Sequence, residues 1–198
     1  MDYKIVTLAG QYASGKDVVA DYLCNRLNKI TGETWRRDAL ANNVKKTFQN
    51  AFRVDREFLE KWKRVNDIPP GFSLPIRKAL TIIGDGFRDI QGDVWIKSLM
   101  SSIESNVCLS DVRYINEAVY FEKENGTNIL MWRPGYENDF PSRSEQELMT
   151  FVNLLKNKPD GEITDDMPFH YWLKNDGTLD DIYQKIDDSV IPFVLDHL

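Results

Sequence analysis

Short apolar runs closed by turn residues alternate along this chain with stretches whose apolar positions recur every three or four residues. That alternation is the mark of strands feeding helices and predicts a parallel sheet. Residues 3–9 read as a first strand, and residues 17–28 as a helix with Val18, Val19, Tyr22, Leu23 and Leu27 at helical spacing. A weaker strand is predicted near 33–37 and a helix over 40–52, where Val44, Phe48 and Phe52 recur at steps of four. Pro69-Pro70-Gly71 and Pro75 predict a loop, and helices over 76–90 and 93–105 flank Gly92. Then follow a strand at 106–110, a helix at 115–125 closed by Gly126, and a strand at 127–132. A polar segment at 134–142, a helix at 144–155 and a loop at 156–168 lead to a last strand at 170–174 and a last helix at 179–194. No internal repeat breaks the sequence of units.

Length and charge narrow the picture. The 198 residues suit one sizeable domain, expected to span 1–198. Against 31 acidic residues stand 25 basic ones, a net charge of −6, and no Lys/Arg run exceeds two residues. A nucleic acid polymer is therefore a disfavoured partner, whereas a small anion gripped by a few arginines in a locally positive pocket is not. Cys24 and Cys108 fall within a predicted helix and strand and read as small buried hydrophobes suited to a reducing compartment. No apolar run is long enough for a membrane span, and Met1-Asp2-Tyr3-Lys4 runs into a strand without the look of a signal peptide. The expected location is the cytoplasm.

The first strand is followed by Gly10-Gln11-Tyr12-Ala13-Ser14-Gly15-Lys16-Asp17. A G-x-x-x-x-G-K run between strand and helix is a phosphate-binding loop. Its glycines let successive N–H groups turn toward phosphate oxygens, and the next helix offers its positive end to the same anion. A bare match would arise by chance in roughly 6% of chains this long, and the strand–helix context lowers that several-fold. Gly10, Ala13, Ser14, Gly15, Lys16 and Asp17 are the candidate phosphate-binding positions, with Lys16 bridging the β and γ phosphates. Asp17 stands where a Ser or Thr hydroxyl usually touches magnesium. A carboxylate there joins the metal shell, turns toward another partner, or serves only as an acidic residue favoured by the helix dipole.

Three further stretches carry a family resemblance. They are Arg77 to Ile90 with Asp93-Val94-Trp95-Ile96; Ser110-Asp111-Val112-Arg113-Tyr114-Ile115-Asn116-Glu117; and Trp172-Leu173-Lys174-Asn175-Asp176-Gly177-Thr178-Leu179. With the phosphate loop, and in this order, they resemble the phage-type deoxynucleoside monophosphate kinases of the P-loop superfamily. The resemblance implies a three-layer α/β/α fold with a central parallel sheet of about five strands. It also implies a helical acceptor-binding insertion near 40–105 and a lid-like segment near 133–168. It implies ATP with Mg²⁺, a small nucleotide acceptor, and the host cytoplasm if the protein is phage-encoded. Two departures bear on acceptor choice: Leu40-Ala41-Asn42-Asn43-Val44-Lys45 stands where the family often has F-A-D-P-L-K, and Ser142-Arg143-Ser144-Glu145 lacks the His that often precedes S-E.

Phosphoryl transfer asks for positive charge placed around a spread-out transition state. Arg77 and Arg88 lie three turns apart on the predicted helix and suit the grip of an acceptor phosphate, unless Gly84 and Gly86 interrupt that helix. Trp95 reads either as a surface for the base or as core. Asp111 resembles a Walker-B acid holding magnesium through water, or caps the next helix, and Arg113 is a candidate for the acceptor phosphate. Arg133 and Arg143 flank the polar segment, as lid arginines would, or belong to an ordinary surface loop. Asn175, Asp176 and Gly177 line the adenine side by resemblance, or form a plain turn. His170 and His197 have no metal-ligand spacing to a Cys, so zinc or Cys–His chemistry has little support. Alternatives at this stage are a kinase of another small phosphorylated metabolite, such as phosphomevalonate or dephospho-coenzyme A, a non-catalytic nucleotide-binding module, or a base kinase acting on a polymer. A homodimer is compatible with the sequence and not specified by it.

Overall fold

A computed structural model describes residues 3–136 and 143–198. Its chain forms two compact units, Met1–Ala39 with Ile103–Leu198, and Leu40–Ser102.

The first unit is an α/β layer structure. Strands β1 (Ile5–Gly10), β2 (Trp35–Asp38), β3 (Asn106–Val112), β4 (Thr127–Trp132) and β5 (Tyr171–Lys174) form one parallel sheet in the order β2-β3-β1-β4-β5. These strands are apolar on both sides because helices cover both faces. On one face Val6, Leu8, Cys108, Ile129, Met131 and Leu173 pack with Val19, Leu23 and Leu27 of α1 (Lys16–Thr31). The C-terminal helix joins the same cluster through Ile182, Ile186, Val190 and Val194. It runs as α8 (Leu179–Lys185), a π segment (Ile186–Val190) and α9 (Ile191–Asp196); the expected single helix is thus present with one wide turn. Helices α6 (Ile115–Lys123) and α7 (Arg143–Leu155) pack on β1 and on each other, and α6 also on β4.

One buried polar cluster of this unit is matched around a single side chain. Asn128, fully buried, accepts a 2.6 Å bond from Thr7 Oγ1 and donates to the carbonyls of Ala118 (2.7 Å) and Pro168 (2.8 Å). Its backbone N–H donates to His170 Nδ1 at 2.9 Å. Burial lowers the pKa of His170, which keeps that nitrogen available as an acceptor. One side chain therefore ties β1, α6 and the segment before β5 together.

The second unit is helical: α2 (Ala41–Phe52), α3 (Arg56–Trp62), α4 (Ile76–Ile90) and α5 (Val94–Met100). Phe48, Leu59 and Ile76 are buried at its centre, with Phe72, Leu80 and Ile83 packed around them. Helix α4 runs unbroken through Gly84 and Gly86, which keeps Arg77 and Arg88 on one helix. Two expectations need correction here. Helix α3 is not in the sequence reading; Asp55 starts it by accepting from Phe58 N at 2.7 Å. The helix expected over 93–105 ends at Met100, where Ser101 and Ser102 turn their hydroxyls onto the carbonyls of Ser98 and Leu99.

Candidate functional site

All five strands run the same way, so their carboxyl ends form one edge of the sheet. Along it stand Arg37 and Asp38 (β2), Asp111 (β3), Gly10 (β1), Arg133 just past β4, and Asn175 just past β5. The strand order reverses at β1, whose neighbours are β3 on one side and β4 on the other. Open α/β sheets bind ligands at such a switch point, and here the glycine loop occupies it.

The loop's shape follows from its residues. Gly10 pairs with Met131 and has φ 154°, and a Cβ there would run into the Met131 carbonyl oxygen. Gly15 starts α1 with φ 93°, left-handed backbone that a side chain would strain. Ala13 also takes positive φ, 58°. Ser14 is fully buried, and its carbonyl accepts from Asn175 Nδ2 at 3.0 Å. Gln11 donates from Nε2 to the Arg133 carbonyl at 2.9 Å, which ties the loop to the end of β4. Glu145 on α7 is 7% exposed and accepts from the Tyr12 backbone N–H at 2.9 Å.

Lys16 lies over this loop. Its ammonium donates to the carbonyls of Gly10 (2.9 Å) and Gln11 (2.5 Å) and to Ser14 Oγ (3.1 Å). Burial pushes its pKa down to about 8, helped by the Arg113 charge, while Asp17, Asp111 and Glu145 act in the opposite direction. A cation partly withdrawn from water in this way gains from a phosphate more than a fully solvated lysine would, because it has less hydration to lose.

Asp17 has two protein partners. Ser110 donates its hydroxyl to Asp17 Oδ1 at 2.7 Å, and Arg37 Nη1 lies 2.9 Å from the same oxygen. An irregularity in the β1–β3 pairing contributes: Thr7 faces Leu109 but Ala9 faces Val112, so β3 carries one extra residue around Ser110 and Asp111. Bulges of this kind re-aim side chains at strand ends.

A chain with this loop geometry can be compared with known proteins. No family model matches it. It is 28% identical, over 177 residues, to a protein of Acanthamoeba polyphaga mimivirus that carries the provisional name deoxynucleotide monophosphate kinase; the match spans 78% of this chain and 89% of the relative. What the chain brings to that comparison is first the phosphate-binding loop between β1 and α1. Among solved structures the chain is similar to shikimate kinase from Acinetobacter baumannii, at 16% identity over 96% of this chain and 94% of that one, TM-score 0.48. It is also similar to dephospho-CoA kinase from Campylobacter jejuni, at 11% identity over 98% of each chain, TM-score 0.46.

The expected site residues fall into four groups. Gly10, Ala13, Ser14, Gly15, Lys16 and Asp17 form one loop, and Asp111 and Arg113 are near enough to act on the Lys16 charge. Asn175 buttresses the loop through its bond to the Ser14 carbonyl. Asp176 pairs with Lys185 at 2.7 Å, which holds its carboxyl below the usual carboxylate range, and Gly177 lies where a Cβ would meet Asp181. Arg133 stacks its guanidinium 4.0 Å above the Tyr136 ring. The Arg143 side chain, and residues 137–142 of the expected lid, lie outside the described residues. Arg77, Arg88 and Trp95 belong to the helical unit. Arg88 lies 3.5 Å from Asp85, and Trp95 is 4% exposed, its indole N–H donating to the Gly84 carbonyl at 2.9 Å with Phe87 against its ring.

Sequence reasoning missed Gln11, Arg37, Ser110 and Glu145. Ser110 had a signal, since it precedes the strand-end Asp111; the others have none without a contact map. The residues present fit magnesium. Among the described residues no three His, Cys, Asp or Glu gather as a cage, but Asp17, Asp111 and the Ser110 hydroxyl are hard oxygen donors. Magnesium on a nucleotide needs only one or two carboxylates besides phosphates and water.

Proposed function

We propose that this kinase transfers the γ-phosphoryl group of ATP to a deoxynucleoside monophosphate, giving the diphosphate. The observation that carries the reading is Lys16, buried over a Gly10–Asp17 loop at the sheet's switch point, with carboxylates and Arg113 around it. The name of the mimivirus relative supports the acceptor class, as do the four motif stretches in order.

Loop amides and the start of α1 bind the ATP phosphates, and Lys16 neutralises charge building on the β–γ bridge and the γ oxygens. Asp17 and Asp111 would hold magnesium, which on binding would draw charge from the β and γ oxygens. Arg133 and Arg143 serve the transferring group from the lid-like segment, and Arg113 serves the acceptor phosphate. Arg77 and Arg88, on a common side of α4, bind the acceptor phosphate as forked donors. Trp95 supports the acceptor side by holding Phe87, which is 41% exposed beside Arg88. Asn175, Asp176 and Gly177 shape the adenine side. No described helix is long and apolar enough to cross a membrane.

The test is an ADP-release assay with Mg²⁺ and ATP against deoxy- and ribonucleoside monophosphates, phosphomevalonate and dephospho-coenzyme A. Turnover confined to one or a few deoxynucleoside monophosphates is expected. Turnover with a non-nucleotide acceptor alone would overturn the acceptor assignment while leaving the kinase in place.

A further inference from the structure

Asp17 poses an electrostatic problem at the phosphate loop, since a carboxylate beside a polyphosphate repels it unless positive charge intervenes. The protein supplies such charge from β2. Arg37 straddles two carboxylates of α1, with Nη1 2.9 Å from Asp17 Oδ1 and Nε 3.0 Å from Asp21 Oδ1. Asp17 and Asp21 are four apart on the helix and so share a face, which lets one planar fork reach both. Ser110 donates to the same Asp17 oxygen from β3, the strand beside β2. Oδ1 of Asp17 therefore already receives two donors, one of them cationic.

We infer that Arg37 is a positioning residue for the nucleotide's divalent cation: it holds Asp17 by charge and competes with the metal for that carboxylate. The inference rests on the Mg·nucleotide reading above. A guanidinium and a divalent cation want the same lone pairs, and the one that is bound lowers the other's affinity by the same factor. The Asp17 side chain is 75% exposed and that of Arg37 38%. Solvent screens such a pair, so Arg37 tunes metal affinity by about three- to fivefold and does not block it. Asp21 gives the guanidinium a second anchor when the metal takes Asp17, which keeps Arg37 in place through the exchange. A purely structural staple between β2 and α1 would behave differently: its loss would weaken metal binding or leave it unchanged.

The experiment titrates Mn²⁺ into the full chain saturated with the imido analogue of ATP and counts free Mn²⁺ by electron paramagnetic resonance. Arg37→Gln is expected to raise Mn²⁺ affinity about three- to fivefold. In an Asp17→Asn background the same change is expected to have no effect. Unchanged or weakened Mn²⁺ binding in a folded Arg37→Gln protein would overturn the inference, and so would an equal gain in the Asp17→Asn background. If Arg37→Gln does not fold, Arg37→Lys keeps the charge without the fork. It is expected to give a smaller gain in the same direction, and no gain would overturn the inference. A wild-type protein that binds no Mn·nucleotide would instead defeat the kinase reading itself, and this inference with it.

Discussion

In the α/β unit the important groups are held by partners far away in sequence: Asn175 reaches Ser14, Glu145 reaches Tyr12, and Ser110 reaches Asp17. In the helical unit Arg77 and Arg88 owe their common side to the unbroken run of α4, where eleven residues bring the helix back to within about 20°. The first arrangement fixes a loop whose backbone must hold left-handed angles while Lys16 is partly withdrawn from water. The second sets only the spacing of two surface cations. On the proposed function, long-range bonds give precision where a transition state is to be met, and helical periodicity suffices where a phosphate is to be gripped.

That contrast can be broken by mutation, and the largest effect belongs to the loop. Lys16→Ala is expected to lower kcat by about a hundredfold or more with the fold intact, because it removes charge from the transition state. Circular dichroism and steady-state rates check it together, and a near-normal rate would remove the phosphate-loop assignment.

The loop also has a pH signature. Lys16 must be protonated to meet phosphate, and burial sets its pKa at about 8 in this structure. ATP affinity is therefore expected to hold below that value and to fall about tenfold between pH 7 and pH 9. Calorimetry near pH 8 in buffers of different ionisation heat should show proton uptake on ATP binding, since the phosphates raise the lysine's pKa. The same shift has a sign for stability. The folded pKa lies below the unfolded one, so the unfolded chain holds more protons between about pH 8 and 10.5, and Lys16's unfavourable contribution is relieved as pH rises through that window.

In the helical unit, Arg77→Ala is expected to raise the acceptor KM about tenfold, the loss of one charged hydrogen-bonding pair, with ATP affinity unchanged. A change confined to ATP affinity would overturn the acceptor role of Arg77. The smallest effect is expected at Asn175→Ala, about two- to threefold in ATP affinity, because the Ser14 carbonyl keeps water as a substitute partner. An effect as large as that of Lys16→Ala would mean that Asn175 touches nucleotide and is more than a buttress.

The same contrast explains what the sequence could reveal. The loop, its strand and α1 were legible because glycine, lysine and helical spacing are local signals. The five strands and the span of α4 were legible for the same reason. Helix α3 was not: at seven residues it is too short for a clear period, and burial of Leu59 against Phe48 and Ile76 supplies most of its support. Asp17's fate was left open because its partners Arg37 and Ser110 sit on two other strands, brought near by sheet order and a bulge that no local pattern encodes. Glu145 looked like any acidic residue in a first helical turn. Only the fold shows its carboxylate buried against the Tyr12 amide.

The most direct measurement follows the phosphoryl group itself. ATP labelled at the γ position is incubated with Mg²⁺ and each deoxynucleoside monophosphate, and the products are separated. Label in a deoxynucleoside diphosphate with the wild-type chain, and its loss with Lys16→Ala, is the expected result. Label released only as inorganic phosphate, or transfer that survives Lys16→Ala undiminished, would contradict the assignment.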